Sequence, residues 1–245
     1  MSLDLHTAGW VHSLFEWAGM AGGAWLWRRG MPRQAGPMAP GNFAVLVGLL
    51  LGAGIGNKLV FLIERPDVLN ALLQGQPLWP GQSIVGGLLG GLIGVEIAKK
   101  LTHQTRSTGD AMVLPLVLGI SVGRVGCFIA GLHDDTFGLP TTLPWGVDFG
   151  DGLTRHPTQL YEIAVLGLLG AALHHLRPKL AATPGLAFKL FLSSYLGWRF
   201  LVEFLKPVPV AYPLGLSGIQ WTCLIALLAY LPFVWRDARP TLVHP

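Results

Sequence analysis

The stretch "AMVLPLVLGISVGRVGCFIAG" (residues 111–131) decides the fold class of this chain. A run of about 20 apolar residues has the length that an α-helix needs to cross the hydrocarbon core of a bilayer. The run carries a single charged side chain, Arg124. A charge near the middle of a membrane costs about 3 kcal/mol on insertion scales, so Arg124 indicates a functional site inside a membrane helix.

The composition points to the same class of protein. Of the 245 residues, 51% are hydrophobic and only 12% are charged, whereas soluble domains carry about 25% charged residues. Nine Trp and 33 Gly are typical of multi-span proteins, in which Trp lies at the interfaces and Gly lets helices approach. The basic residues form short clusters beside apolar runs, so the net charge of +4 indicates topology control and not a nucleic-acid partner.

Seven apolar segments are long enough to be membrane spans. The composition and these segments predict an all-α, polytopic membrane protein with seven transmembrane helices, forming one transmembrane domain over residues 1–245. The longest connection is the loop at about 132–157. The predicted spans cover about 10–27, 42–63, 81–98, 111–131, 158–176, 185–205 and 218–235.

Lys and Arg residues orient these spans. They concentrate in the loops that follow spans one, three, five and seven, and the positive-inside rule places such loops in the cytoplasm. The N-terminus is therefore predicted to lie outside and the C-terminus in the cytoplasm, with loop 132–157 on the outer side. The concentrated residues are Arg28, Arg29, Arg33, Lys99, Lys100, Arg106, Arg177, Lys179, Lys189, Arg236 and Arg239, whereas the alternate loops hold Arg65, Arg155 and Lys206.

Span six, "FLSSYLGWRFLVEFLKP" (191–207), carries a second intramembrane arginine. Tyr195, Arg199 and Glu203 are spaced by four residues and share one helix face. An isolated Arg–Glu pair would only neutralise itself. Arg124 and Arg199 together, however, leave positive charge over, and the planar guanidinium suits a phosphate group. The two arginines predict a cavity in the outer leaflet for a phosphorylated lipid.

Other polar groups lie in or near the spans. Glu16 and Lys58 fall inside spans one and two, while Glu96, Asp110 and Glu162 fall near span ends, where they are expected to reach the interface. Span three carries glycines at four-residue spacing, at positions 86, 90 and 94. Such spacing indicates tight helix packing; the alternative is a backbone surface that approaches a ligand.

The outer loop adds His133, Asp134 and Asp135. A His–Asp pair suits a general base or a metal ligand set, although a solvated loop accounts for it equally well. The ligand set is too sparse to predict a metal, and no cofactor motif is present. In "RHPTQLYE" (155–162), the Pro-Thr pair starts a helix, which leaves Arg155 and His156 unexplained by capping.

Four motifs together resemble the prolipoprotein diacylglyceryl transferase family. They are "SIVGGLLGG" (83–91), "GRVGCFIAG" (123–131), "RHPTQLYE" (155–162) and "YLGWRFLVEFLK" (195–206). The resemblance implies a seven-span, multi-pass enzyme of the bacterial inner membrane. Such enzymes move the diacylglyceryl group of phosphatidylglycerol to the cysteine thiol of a lipoprotein signal peptide and release glycerol phosphate.

The resemblance also implies site residues. Arg124 matches the essential arginine of the glycine-flanked signature, Gly138 matches the glycine that closes it, and the tyrosine, arginine and glutamate of span six match the family's functional trio. With the loop histidine added as a base, the expected catalytic residues are Arg124, Tyr195, Arg199, Glu203 and His133. The expected substrate-binding residues are Arg124, Gly126, Gly138, Arg155, His156 and Arg199.

Two departures from the family pattern concern the chemistry. Val85 stands where the family has a histidine thought to help activate the thiol, and Cys127 stands where an asparagine usually follows the arginine motif. The segment after Gly131 is also about two residues longer than in the family. The replacement base is His133 with a neighbouring aspartate, or His156, or no strong base at all, since a thiol has a pKa of about 8.5.

Three hypotheses follow for the function. The first is a phosphatidylglycerol-dependent diacylglyceryl transferase that acts on lipoprotein precursors. The second keeps the lipid donor but transfers the group to a different acceptor, which the lost histidine and the altered loop would explain. The third is a non-catalytic lipid-binding or transport protein on the same scaffold.

Overall fold

The computed structural model describes residues 4–30, 40–76 and 81–243, and the chain is mostly helical. A long helix coincides with each of the seven predicted segments, although the third begins three residues later than predicted. Two short helices, α3 and α7, were not predicted. The helices are α1 Leu5–Gly30, α2 Pro40–Glu64, α3 Pro66–Leu73, α4 Ile84–Leu101, α5 Val113–Ala130, α6 Thr158–His175, α7 Arg177–Leu180, α8 Leu186–Val202 and α9 Gly218–Val243.

Apolar helices make this a membrane protein. Within the described ranges, three helical segments are long and apolar enough to cross a bilayer: Asn42–Glu64, Asp110–Asp134 and Gly218–Arg239. Large apolar side chains are exposed along several helices, as a lipid-facing surface requires. Examples are Trp10, Trp17, Leu50, Leu168 and Leu228.

A small hairpin departs from the all-helical prediction. Strands β1 Val147–Asp148 and β2 Thr154–Arg155 pair antiparallel within the predicted outer loop. Asp148 Oδ1 accepts hydrogen bonds from the backbone nitrogens of Gly150 (2.7 Å) and Gly152 (3.1 Å), which closes the turn. Strands of two residues are too short to leave a period-two pattern in the sequence, so hydropathy did not reveal them.

The helices form two compact units. The first comprises residues 1–30, 108–207 and 234–245 and contains α1, α5, α6, α7, α8, the hairpin and the end of α9. The second comprises residues 31–107 and 208–233 and contains α2, α3, α4 and the first part of α9.

Glycines hold α2 and α4 together in the second unit. Each helix presents a row of glycines to the other, and a methyl group on any of them would collide with the carbonyl oxygen of an opposing glycine. The structure thus confirms helix packing, not ligand approach, as the use of the span-three glycines. The rows are Gly48, Gly52 and Gly56 on α2 and Gly86, Gly90 and Gly94 on α4.

In the first unit, α5 packs between α1 and α6, and α8 packs on α6. Gly19 of α1 lies against Gly119 of α5, again without room for a side chain. The core of this unit contains fully buried apolar side chains from α6 and α8. They include Leu166, Phe191, Leu192 and Leu196.

Asp110, which was expected near the interface, binds the start of α8. Its Oδ2 accepts a hydrogen bond from the backbone nitrogen of Gly185 (2.5 Å), and its Oδ1 accepts one from Phe188 (2.9 Å). The first turn of a helix leaves backbone N–H groups without intrahelical partners. Asp110 therefore caps α8 from outside the helix, and thereby helps to position the polar residues farther along α8.

Candidate active site

Glu162 lies at the centre of a buried ionic network in the first unit. Its side chain is only 3% exposed, and its Oε2 lies 3.0 Å from Arg124 Nε and 3.4 Å from Arg199 Nη1. The hydroxyl of Tyr195 donates a hydrogen bond to Oε1 at 2.7 Å. The prediction that Glu162 reaches the interface is therefore wrong: the second turn of α6 turns this side chain toward α5 and α8.

A second carboxylate extends the network beyond α8. Arg199 Nη2 donates to Glu203 Oε2 at 3.0 Å, which confirms the pairing predicted from their four-residue spacing. Lys206 Nζ lies 3.9 Å from the other oxygen of Glu203. Three cationic side chains, those of Arg124, Arg199 and Lys206, thus meet the carboxylates of Glu162 and Glu203 in one network.

Burial makes the arginines of this network unusual. Arg124 is 6% exposed and Arg199 is 4% exposed. Arg124 Nε meets Glu162 as an ionic contact without hydrogen-bond alignment, and Arg199 Nε has no hydrogen-bond partner within the part of the chain that the structure describes. A buried donor left unsatisfied costs about 1–3 kcal/mol. The network thus contains two buried N–H groups, Arg124 Nε and Arg199 Nε, without an aligned acceptor.

A second polar cluster, which the sequence analysis missed, begins at His12 of α1. His12 Nδ1 lies 2.6 Å from Asp134 Oδ1, and its Nε2 lies 3.2 Å from Glu16 Oε1. The other oxygen of Asp134 accepts a hydrogen bond from Thr136 Oγ1 at 2.5 Å. Of the predicted loop group, Asp134 is therefore fixed to α1, whereas His133 is exposed.

Cys127 connects the two clusters. It lies one turn after Arg124 on α5 and is 6% exposed. Its sulfur accepts a hydrogen bond from Arg124 Nη1 at 3.7 Å. Its sulfur, one ring nitrogen of His12 and one carboxylate oxygen of Asp134 all lie within 4.8 Å of one another. The sequence signal for this cluster is the four-residue spacing of His12 and Glu16 inside an apolar span.

Arg155 has partners in the loop, and His156 has a partner on α6. Arg155 Nη2 donates to Asp151 Oδ2 at 2.5 Å, and its guanidinium carbon lies 5.0 Å from the centre of the Phe137 ring. The hydrogen bond from Arg155 lowers the pKa of the exposed Asp151 carboxyl below its usual value. His156 Nδ1 lies 3.2 Å from the Tyr161 hydroxyl.

The two predicted substrate-binding glycines lie where the chain packs closely. A Cβ atom at Gly126 would lie 2.6 Å from Cβ of Phe15 on α1. At Gly138, it would lie 2.7 Å from the carbonyl oxygen of His156 and 2.9 Å from that of Leu205. Both positions bring site-bearing segments together because they have no side chain.

The fold and this network define a helical membrane protein with an ionic site buried among its helices. Residues 7–236 match the prolipoprotein diacylglyceryl transferase family. The chain therefore belongs to the prolipoprotein diacylglyceryl transferase family, whose members are transferases, as the motifs predicted.

Individual relatives support this assignment. The phosphatidylglycerol–prolipoprotein diacylglyceryl transferase of Bordetella parapertussis is 34% identical over 81% of this chain and 77% of its own length. The protein of that name from Nitrosomonas europaea is 33% identical over 81% of this chain and 74% of its own length. The one from Coxiella burnetii RSA 331 is 34% identical over 71% of this chain and 66% of its own length.

Proposed function

We propose that this protein transfers the diacylglyceryl group of phosphatidylglycerol to the cysteine thiol of a lipoprotein signal peptide in the bacterial inner membrane. Family membership and the names of its relatives support the reaction. The main structural support is that Arg124 and Arg199, both buried, contact the same carboxylate oxygen of Glu162. Two guanidinium groups drawn from different helices are suited to one phosphate.

The proposal includes a topology of seven membrane-spanning helices in one domain, with the N-terminus outside and the C-terminus in the cytoplasm. A helix at each of the seven apolar segments and the distribution of Lys and Arg support it. Loop 132–157 then lies on the outer side.

In the reaction, the acceptor sulfur attacks the carbon of the diacylglyceryl group that is bonded to the phosphate oxygen. A carbon–sulfur bond forms, and the carbon–oxygen bond breaks with its electron pair left on the phosphate oxygen. Glycerol phosphate departs, and the thiol proton is transferred to the phosphate or to a neighbouring base. Arg124 and Arg199 would stabilise the negative charge that develops on the phosphate in a site of low dielectric constant.

The other residues of the network would hold the guanidinium groups in place. Glu203 fixes one edge of Arg199 because its Oε2 accepts a 3.0 Å hydrogen bond from Arg199 Nη2. Tyr195 fixes the orientation of Glu162, which contacts both arginines. These positioning contacts would lower the reorganisation required when the phosphate binds.

Alanine substitution of the arginines tests this function. With purified protein, labelled phosphatidylglycerol and a peptide carrying the signal-peptide cysteine, Arg124→Ala and Arg199→Ala should each lower the transfer rate at least about 100-fold, because each removes a donor to the developing charge. Arg65→Ala, at an ion pair on α3, should transfer at the wild-type rate. Retained activity in both site variants would refute the proposed role.

A second function is favoured by Val85 and Cys127, which replace the histidine and asparagine of the family pattern. In this alternative, the same donor gives its diacylglyceryl group to a different acceptor. The assay would then show glycerol phosphate released in the presence of a membrane extract but not of the lipoprotein peptide. Phosphatidylglycerol that binds without any turnover would instead identify the non-catalytic lipid-binding or transport protein.

A further inference from the structure

We propose that His12, Cys127 and Asp134 form a Zn²⁺ site, called here the His–Cys–Asp site. One ring nitrogen, the thiol sulfur and one carboxylate oxygen lie within 4.8 Å of one another. Imidazole, thiolate and carboxylate are the ligand types that Zn²⁺ takes in proteins. His12 is distant in the sequence from Cys127 and Asp134, and the packing of α1 on α5 brings it to them.

The spacing of the donors fits a tetrahedral ion. Bonds of about 2.0–2.1 Å to nitrogen and oxygen and about 2.3 Å to sulfur place ligand atoms about 3.2–3.8 Å apart. The metal-free separations run from 2.6 Å between His12 Nδ1 and Asp134 Oδ1 up to the 4.8 Å limit of the cluster. Shifts of about 1 Å in side-chain position, within rotamer adjustments, would therefore complete the ligand geometry.

Neighbouring groups are placed as they are around metal ligands. A metal-bound histidine usually directs its other ring nitrogen to a carboxylate, and ligating carboxylates are themselves hydrogen-bonded. His12 has a carboxylate on each nitrogen, Asp134 on Nδ1 and Glu16 on Nε2. The second oxygen of Asp134 accepts the hydrogen bond from Thr136. These contacts orient His12 and Asp134 before a metal ion binds.

Charge and access also suit a divalent ion. The carboxylate of Asp134 and a thiolate of Cys127 would neutralise the two charges of Zn²⁺, which a low-dielectric environment favours. His12 keeps 28% of its side-chain surface exposed, so the cluster is not sealed. Three protein ligands leave the fourth tetrahedral position for an external group, as in catalytic zinc sites.

The fourth position would take the acceptor thiol, an assignment that rests on the proposed function. A thiol that coordinates a metal loses its proton. The bound thiolate would lie beside Arg124, which contacts Cys127 at 3.7 Å and is proposed to bind the phosphate. The sulfur then attacks the glyceryl carbon as described above, and the proton released on coordination goes to solvent. This site would replace the missing histidine at Val85.

Metal binding tests the site without any transfer assay. Metal-free protein in detergent should bind one Zn²⁺ per chain in competition with a chelating indicator. Co²⁺ in place of Zn²⁺ should give the near-ultraviolet absorption of a metal–thiolate bond. Cys127→Ser and Asp134→Asn should weaken Zn²⁺ binding at least about 100-fold, and Glu16→Gln at least about 10-fold. Cys223→Ser, at the other buried cysteine, should bind like the wild type.

Two results would overturn the site. One is a wild-type protein that binds no stoichiometric Zn²⁺ and gives no Co²⁺–thiolate absorption, which decides the question even if a variant does not fold. The other is unchanged Zn²⁺ affinity in folded Cys127→Ser. If the His–Cys–Asp site binds Zn²⁺ but transfer continues at the wild-type rate after a chelator has removed the ion, only the proposed activation of the thiol is refuted. Zn²⁺ bound there with no transfer to any peptide thiol would refute the proposed function while leaving the metal site standing.

Discussion

Glu162 is the residue on which the ionic network depends. A single carboxylate contacts Arg124, Arg199 and Tyr195, and each of these groups is itself buried. Removing charged groups from water is costly, and the cost is offset only while both signs are present. Glu162 therefore keeps two guanidinium groups inside the protein, where they are oriented before the substrate binds.

Replacing Glu162 with glutamine should lower the free energy of unfolding by about 3–5 kcal/mol, because it leaves the two buried arginines without their shared counter-charge. Denaturant titration in detergent micelles measures this loss. Glu96→Gln is the matched control, since Glu96 pairs with Lys99 at an exposed position and should change stability by about 1 kcal/mol or less. A Glu162→Gln loss no larger than that of the control would contradict the central place of Glu162.

The sequence predicts only part of this site. Tyr195, Arg199 and Glu203 follow from spacing within one helix, and Arg124 follows from being a lone charge in an apolar run. Glu162 and His12 become part of the site only through contacts between helices, which no spacing along the chain reveals. Local sequence patterns thus reveal the groups that share one helix and miss those that meet only through contacts between helices.

At the scale of the element, close packing of α2 on α4 follows from glycines on both helices. Carbonyl oxygens of one helix lie directly over glycines of the other at three successive turns. Without side chains between them, the backbones gain van der Waals contact that bulkier residues would prevent. Lys58 of α2 also donates a hydrogen bond to the carbonyl oxygen of Gly81, just before α4, at 3.0 Å.

Gly90→Ala should lower the free energy of unfolding by about 1–3 kcal/mol, because its new methyl group would collide with the backbone of Gly52 and Gly56. Gly87→Ala on the same helix is the control. Its methyl group would meet Cβ of Asn57 at 3.7 Å, an ordinary contact, and should be neutral or stabilise by up to about 1 kcal/mol. Equal stabilities of the two variants, measured by denaturant titration, would argue against backbone contact between α2 and α4.

Element positions are the best predicted feature of the chain. Long helices fall at all seven apolar segments because length and hydropathy alone are enough to predict them. The helix Pro66–Leu73 and the hairpin at 147–155 escaped prediction because elements this short depend on capping and turn contacts. One such contact, the capping of α8 by Asp110, links residues distant in the sequence.

At the scale of the whole molecule, the distribution of charge indicates how the chain is inserted. Loops rich in Lys and Arg alternate along the chain with loops that contain few of them. The proposed orientation brings the beginning of α1 and loop 132–157 to the outer side. His12 and Asp134, which come from these two segments, are in contact in the structure, so the two segments lie on the same side whichever way the chain is inserted.

Cysteine labelling of intact cells tests this orientation. Leu153→Cys, at an exposed position of the outer loop, should react with a membrane-impermeant maleimide before lysis. Thr105→Cys, exposed in the loop after α4, should react only after lysis because that loop is proposed to be cytoplasmic. Both native cysteines are buried and should give little background. The reverse pattern of labelling would overturn the topology.

Complementation tests most directly whether this chain lipidates lipoprotein precursors through its two buried arginines. In a bacterial strain depleted of its own prolipoprotein diacylglyceryl transferase, expression of the wild-type chain should restore growth and lipoprotein maturation. Arg124→Ala, present in the membrane at the same level, should not. Failure of the stable, membrane-inserted wild-type protein to restore growth would contradict the claim.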